Sequence, residues 1–310
     1  MDPEALNKLK EQTRFSREDR IKRKKEFSEE KIGEMALNNF IEVNPNIKLD
    51  EGLFSRLKLI ERYSEINAYS RMVASGVGNL LDKNIGDERI SRAKIAALIH
   101  DAGKSGPAEA TQEQQIAIIK LFAKEDITKE HENETVEKMI RERFGTEAES
   151  MIMVLKDLKG YENILSWSMR EFWDKHIVWG SEINEKYSKN SRGISAETIA
   201  IADLHHAYKG PDDPKYNPRR MPIDEKALKE AFTGGILEEY LSVIVFDNYE
   251  AFTNRSLSEH EQAIKQVRSV VEQKEFCSRY ESICKSVNEI LNKMSKMDTG
   301  GIFEGSREMI

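Results

Sequence analysis

Ala96-Ala97-Leu98-Ile99-His100-Asp101-Ala102-Gly103-Lys104 sets a histidine and an aspartate side by side at the close of an apolar helical run. Burying either side chain without a partner would cost several kcal/mol, so packing alone does not account for the pair. Neighbours on a helix diverge by about 100° and do not normally converge. At a helix C-terminus, however, one can bind a cation while the other bridges to a second, and the partial negative charge there favours a cation. Ser91 is the expected N-cap of this helix, Ile95, Leu98 and Ile99 its inward face, and Gly103 its end.

Working outward, the same chemistry recurs. His176 lies in Lys175-His176-Ile177-Val178-Trp179-Gly180, His205 and His206 adjoin in Ala202-Asp203-Leu204-His205-His206-Ala207-Tyr208-Lys209-Gly210, and Asp247 closes the apolar run Val243-Ile244-Val245-Phe246. Each histidine alone reads as a satisfied core residue; the adjacent pairs do not. Imidazoles with carboxylates, and no cysteine nearby, suit a hard or borderline divalent metal such as Fe, Mn, Zn or Ni.

These four motifs, in this order, resemble the HD-domain superfamily of metal-dependent phosphohydrolases, and most closely its HD-GYP branch of cyclic-dinucleotide phosphodiesterases. The likeness runs from about Leu53 to Leu291. It implies an all-α helical bundle with two divalent ions, Fe, Mn or similar, about 3.5–4 Å apart. Asp101 would bridge them, His100 and Asp247 would complete one site, and His176 with His205 or His206 would build the other. Hydroxide formed from water between the ions would attack a phosphoester of a nucleotide or cyclic nucleotide. Lys104 would bind a phosphate oxygen as a point charge. Two departures stand out. The family's first metal histidine falls on Ala68, with Glu65 and Asn67 near enough to substitute, and the Gly-Tyr-Pro signature is replaced by Lys209-Gly210-Pro211-Asp212-Asp213-Pro214. The alternatives are a di-iron oxygenase of the same superfamily, and a degenerate domain that binds a ligand or a protein partner.

Composition limits the remainder. A chain of 310 residues with 39% hydrophobic and 33% charged residues is ordinary for a globular protein. The formal net charge of −7 argues against generic nucleic-acid binding. The longest apolar stretches, such as Tyr240 to Phe246, fall far short of the roughly 20 residues of a membrane span, and the polar start has no signal-peptide core. Cys277 and Cys284, seven apart on a helical pattern, stand about 10 Å apart along the axis. They are expected as reduced thiols of a cytoplasmic protein.

Residues 1–50 read as an N-terminal helical appendage whose basic run Arg20 to Lys25 is flanked by acids, a solvated face. The HD-like domain spans 51–297. From Leu57 a stripe through Ile60, Tyr63, Ile66, Val73, Val77 and Leu80 predicts one long core-facing helix. Residues 107–168 form an inserted helical subdomain, in which His131 is solvated. The appendage and the insertion are the candidate surfaces for a protein partner. Four of the seven prolines fall between Pro211 and Asp224, so this loop is a candidate lid. Lys209, Lys215, Arg219, Arg220 and Arg255 are candidate phosphate contacts. Residues 298–310 are a loose tail.

Overall fold

The computed structural model describes residues 37–38, 41, 47–64, 70, 73–74, 76–78, 80–81, 86–124, 126–209, 213, 215–218, 236–252, 260–271 and 281–297. The fold is all-α. Among the described residues no β-strand occurs, only two isolated bridges, Lys48 with Arg192 and Thr135 with Ser168. No described helix is long and apolar enough to cross a membrane. Most of the appendage, the tail, and the candidate residues Glu65, Asn67, Ala68, Arg219, Arg220 and Arg255 lie outside the described residues.

Helix α1, Glu51–Tyr63, starts where the Asp50 carboxylate accepts the Gly52 amide at 2.8 Å. It buries Leu53, Arg56, Leu57 and Ile60, a stripe at i, i+3, i+4 and i+7. The expected long helix is broken. Ser64 is extended, and its own amide and hydroxyl both bond the Ile60 carbonyl, ending α1. Val73, Val77 and Leu80 are still buried in the same core.

Helix α2, Asp87–Ile99, carries the His-Asp pair at its end. It begins four residues ahead of the expected cap: Gly86 precedes it at φ 96°, and Ser91 lies inside it. Its end also differs from expectation. The α-helix stops at Ile99, His100 is still helical, and after Asp101 a 3-10 turn covers Ala102–Ser105. The residue that adopts positive φ is Gly106, at 84°, and Gly103 serves another purpose described below.

Helices α3 (Gln112–Ala123), α4 (Val136–Arg143) and α5 (Ala148–Lys156) make up the inserted stretch. Thr111 with Gln114 forms a capping box for α3. These helices close on their own apolar cluster, including Ile118, Met139, Ile140, Ile152 and Leu155, to which Phe172 and Trp179 of the next helix contribute. Ile119 of α3 instead faces the main core, so α3 joins the two. His131 accepts the Thr128 amide at 3.1 Å and stays near solvent.

Helix α6, Met169–Ser188, begins with a Ser168–Glu171 capping box; α7, Ala196–Asp203, begins with Ser195 and Thr198. Helix α8, Ile236–Glu250, is buried over most of its length and lies in the main core. Helices α9, His260–Val271, and α10, Glu281–Met294, pack against it and each other. Cys284 is disulfide-bonded, which corrects the expectation of two reduced thiols. That expectation assumed one helix through both cysteines, whereas α10 begins at Glu281, after Cys277. Cys277, the chain's only other cysteine, lies outside the described residues.

Candidate metal centre

Two helix ends of the same design meet at the centre of the molecule. Helix α2 runs into His100-Asp101 and a 3-10 turn; α7 runs into His205-His206 and a 3-10 turn at Ala207–Lys209. In both, leaving the α-helix lets adjacent side chains turn toward one point. The helix ends also leave carbonyls without an intrahelical partner. His100 Nδ1 meets the Ala97 carbonyl at 2.6 Å and His205 Nδ1 meets that of Ala202 at 2.6 Å. His176, midway along α6, makes the same contact with the Trp173 carbonyl.

That contact decides the tautomer. A carbonyl accepts only from N–H, so Nδ1 carries the proton and Nε2 presents a lone pair. The Nε2 atoms converge on the carboxylates. His100 Nε2 lies 3.5 Å from Asp101 Oδ2 and 3.5 Å from Asp247 Oδ1, and His176 Nε2 lies 3.7 Å from Asp101 Oδ1. His176, His205 and His206 have ligand atoms within 4.8 Å of one another, as do His100, Asp101 and His205. His205 belongs to both groups. Asp101 faces histidines on two sides, with Asp247 beyond His100.

Three ring nitrogens, His176 Nε2, His205 Nε2 and His206 Nδ1, are buried with no hydrogen-bond partner. Orphaned buried acceptors are costly, and lone pairs aimed at a shared point beside a carboxylate are the donor set that a divalent ion takes. The residues therefore fit a metal.

Burial holds the His176 imidazole neutral, down to about 4, against the pull of Asp101. Burial likewise brings His205 down to about 3, with His100 adding to it. His206 is lowered too, by burial and then by Lys209. His100 goes the other way: burial opposes its charge, but Asp101 and Asp247 outweigh it. Burial would raise Asp101, yet Lys104, His100, His176 and His205 together hold it well below the usual carboxylate range. Asp247 is lowered chiefly by His100 against the same penalty.

Gly103 makes this convergence possible. A Cβ on Gly103 would stand 1.9 Å from the His176 carbonyl oxygen and 2.4 Å from the Gly180 nitrogen. The backbone of the turn therefore lies directly on α6, and it is this approach, rather than a helix stop, that requires glycine. On the other side, Glu239 of α8 is fully buried and held by Arg89 at 2.8 Å and Arg92 at 2.6 and 2.7 Å, both from α2. Asp247 lies eight residues further along α8, so this clamp fixes where its carboxylate meets His100. Asn184 of α6 bonds Asp203 of α7 at 2.7 Å, joining the other two elements.

Lys104 is buried and donates to Asp101 Oδ2 at 2.5 Å. The exposed Lys209 has its ammonium within electrostatic reach of Asp247, Asp174, Arg170 and Lys104. Lys215 is engaged: it pairs with Asp174 at 2.8 Å, and Asp174 also takes Arg170 at 2.6 Å. The described part of the candidate lid is thereby tied to α6, with Arg170 also donating to the Tyr216 hydroxyl at 3.1 Å. His260 is apart from the cluster, bonded to Tyr249 at 2.7 Å.

Comparison with protein-family models, with curated proteins and with solved structures returned no match. The reading of the site rests on its own chemistry.

Sequence reasoning missed Arg56, the Glu239 clamp and the Arg170–Asp174 pair. For Arg56 the signal was present, a cation inside the apolar stripe of α1. Glu239 had none, because its partners are 147 and 150 residues away.

Proposed function

We propose that this chain is a metal-dependent phosphohydrolase of HD-domain type, acting as a phosphodiesterase on a nucleotide or cyclic nucleotide. The observation that carries this reading is the set of imidazoles whose Nδ1 atoms are tied to carbonyls three residues back, leaving lone pairs directed at Asp101. Phosphoryl transfer needs little covalent help from a protein; it needs cations that hold and neutralise phosphate oxygens.

His100, Asp101 and Asp247 would hold one ion, and His176, His205 and His206 the other, with Asp101 common to both. Divalent ions of the Fe or Mn kind polarise the phosphoryl group and lower the pKa of water. The chain's own residues do the remaining work. Asp101 and Asp247 supply negative charge in a dry site, the carbonyl-tied histidines fix its shape, and Lys104 stands ready to bind a phosphate oxygen. Lys209 faces the same site from the second turn. The roles of Arg219, Arg220 and Arg255 rest on sequence alone.

The test is a hydrolysis screen of the Mn- and Fe-loaded protein, without oxygen, over cyclic dinucleotides, nucleoside polyphosphates and 2′,3′-cyclic phosphates. Turnover of one class that disappears in Asp101→Ala supports the reading. A metal-loaded protein that hydrolyses none of them, or one that consumes dioxygen, contradicts it.

A further inference from the structure

The guanidinium of Arg56 is buried, with 2% of the residue exposed, and among the described residues no carboxylate lies within ion-pair distance of it. Beside the Tyr187 ring, whose centroid lies 5.9 Å away, it hydrogen-bonds one short segment. Nη1 donates to Ser105 Oγ at 2.9 Å and to the carbonyls of Ser105 and Gly106 at 3.4 and 3.3 Å; Nη2 donates to those of Pro107 and Ala108 at 2.9 Å each. A buried cation faced by carbonyl dipoles, one hydroxyl and the Tyr187 ring still bears several kcal/mol of desolvation cost. An apolar residue in the stripe of α1 would have packed there without that cost, so the arginine calls for a reason beyond packing.

Its partners supply one. Ser105 Oγ, which accepts from Arg56, donates in turn to the Ala102 carbonyl at 2.7 Å. The chain of bonds therefore runs from α1 through the far end of the 3-10 turn back to its start, beside Asp101. Inside the turn the Lys104 amide bonds the Asp101 carbonyl at 3.0 Å, and the Gly106 amide that of Gly103 at 2.9 Å. Contact with α6 at Gly103 fixes one side of the turn and Arg56 fixes the other. Lys104 lies between them, reaching Asp101.

We infer that Arg56 is a positioning residue that holds the Ala102–Ser105 turn so that the Lys104 ammonium faces the candidate metal centre. Lysine in its place would keep the charge but lose the planar fork that reaches four carbonyls at once. The inference rests on the phosphohydrolase reading for what Lys104 does, but not for what Arg56 holds.

Two measurements separate these. In metal-free protein, hydrogen exchange at the Lys104 and Gly106 amides should speed up at least tenfold in Arg56→Met and in Arg56→Lys, while amides of α5 keep their protection. With Mn loaded, inorganic phosphate affinity should fall about tenfold in Lys104→Ala and about tenfold in Arg56→Met. The double variant should then be little weaker than either, because both act through one ammonium. Mn affinity should stay within about threefold throughout. Unchanged exchange at the turn, or phosphate losses that multiply in the double variant, would overturn the role of Arg56. If wild-type protein binds neither Mn nor phosphate, the phosphohydrolase reading fails, and the exchange measurement alone decides whether Arg56 holds the turn.

Discussion

The inserted stretch and the metal-centre half of the molecule are built from the same kinds of helix, yet they treat polar groups in opposite ways. Between residues 107 and 168 the only buried polar side chain among the described residues is Gln114, and it is satisfied by the Thr111 amide and the Val154 carbonyl. The charges there are paired at the surface, as in Lys138 with Glu134 and Arg141 with Glu137. Around α2, α6, α7 and α8 the buried set includes His100, Asp101, Lys104, His176, His205, Glu239 and Asp247. Burial of polar groups opposes folding unless each is paired. The second half bears that cost, and three ring nitrogens at the candidate site have no hydrogen-bond partner. The contrast marks that half as the one shaped by something other than stability.

The contrast breaks first at Glu239. Glu239→Ala would leave Arg89 and Arg92 facing a vacated buried site, and a loss of about 3–5 kcal/mol is expected by urea denaturation. A loss under about 1 kcal/mol would show that the clamp between α2 and α8 is dispensable. Next come the glycines. Gly103→Ala pushes a methyl into the backbone of α6 and should cost about 3 kcal/mol, the upper end of overpacking. In the insertion, Gly160→Ala meets nothing within 4 Å and carries only the strain of φ +81°, about 1 kcal/mol. Equal losses for the two would remove the close approach from the account.

A smaller effect follows from pH in the metal-free protein. His176 and His205 titrate at about 4 and about 3 when folded, below the ordinary 6.5. The unfolded chain therefore takes up their protons first. Stability should be fully present above about pH 6.5 and fall as pH drops toward about 4, by a few kcal/mol for the two together. His100, raised on folding, works in the opposite sense and offsets part of this. Thermal denaturation from pH 7 to pH 4.5 checks it, with His176→Gln expected to flatten the curve and an unaltered slope counting against a buried neutral imidazole. The smallest effect belongs to the insertion: Lys138→Ala removes an exposed pair, and urea denaturation should not distinguish it from wild type.

Much of this was legible in the chain and some was not, for physical reasons. The all-helical fold was expected from the resemblance of four motifs in order, together with helical apolar spacing such as that of Ile95, Leu98 and Ile99. The meeting of His100, Asp101, His176, His205, His206 and Asp247 followed from adjacent polar pairs that packing could not explain. The break at Ser64 was hidden because the apolar stripe resumes at Val73 on the same core, so periodicity bridged the end of α1. Gly103 was misread as a helix stop because sequence records that a residue is glycine, not whether it serves φ or close contact. Arg56 escaped because its partners are backbone carbonyls, which every residue has. Cys284 was misjudged because a single helix was assumed to carry both cysteines, which would hold them about 10 Å apart along its axis.

Titration of the metal-free protein with Mn(II) in a calorimeter tests the central claim most directly, with wild type and Asp101→Ala compared under the same conditions. The carbonyl-tied histidines and Asp101 should bind at least one ion per chain in the wild type. The variant should keep its helical spectrum while losing about a hundredfold in affinity. A folded wild type that takes up no ion, or a variant that binds as tightly, would contradict the account.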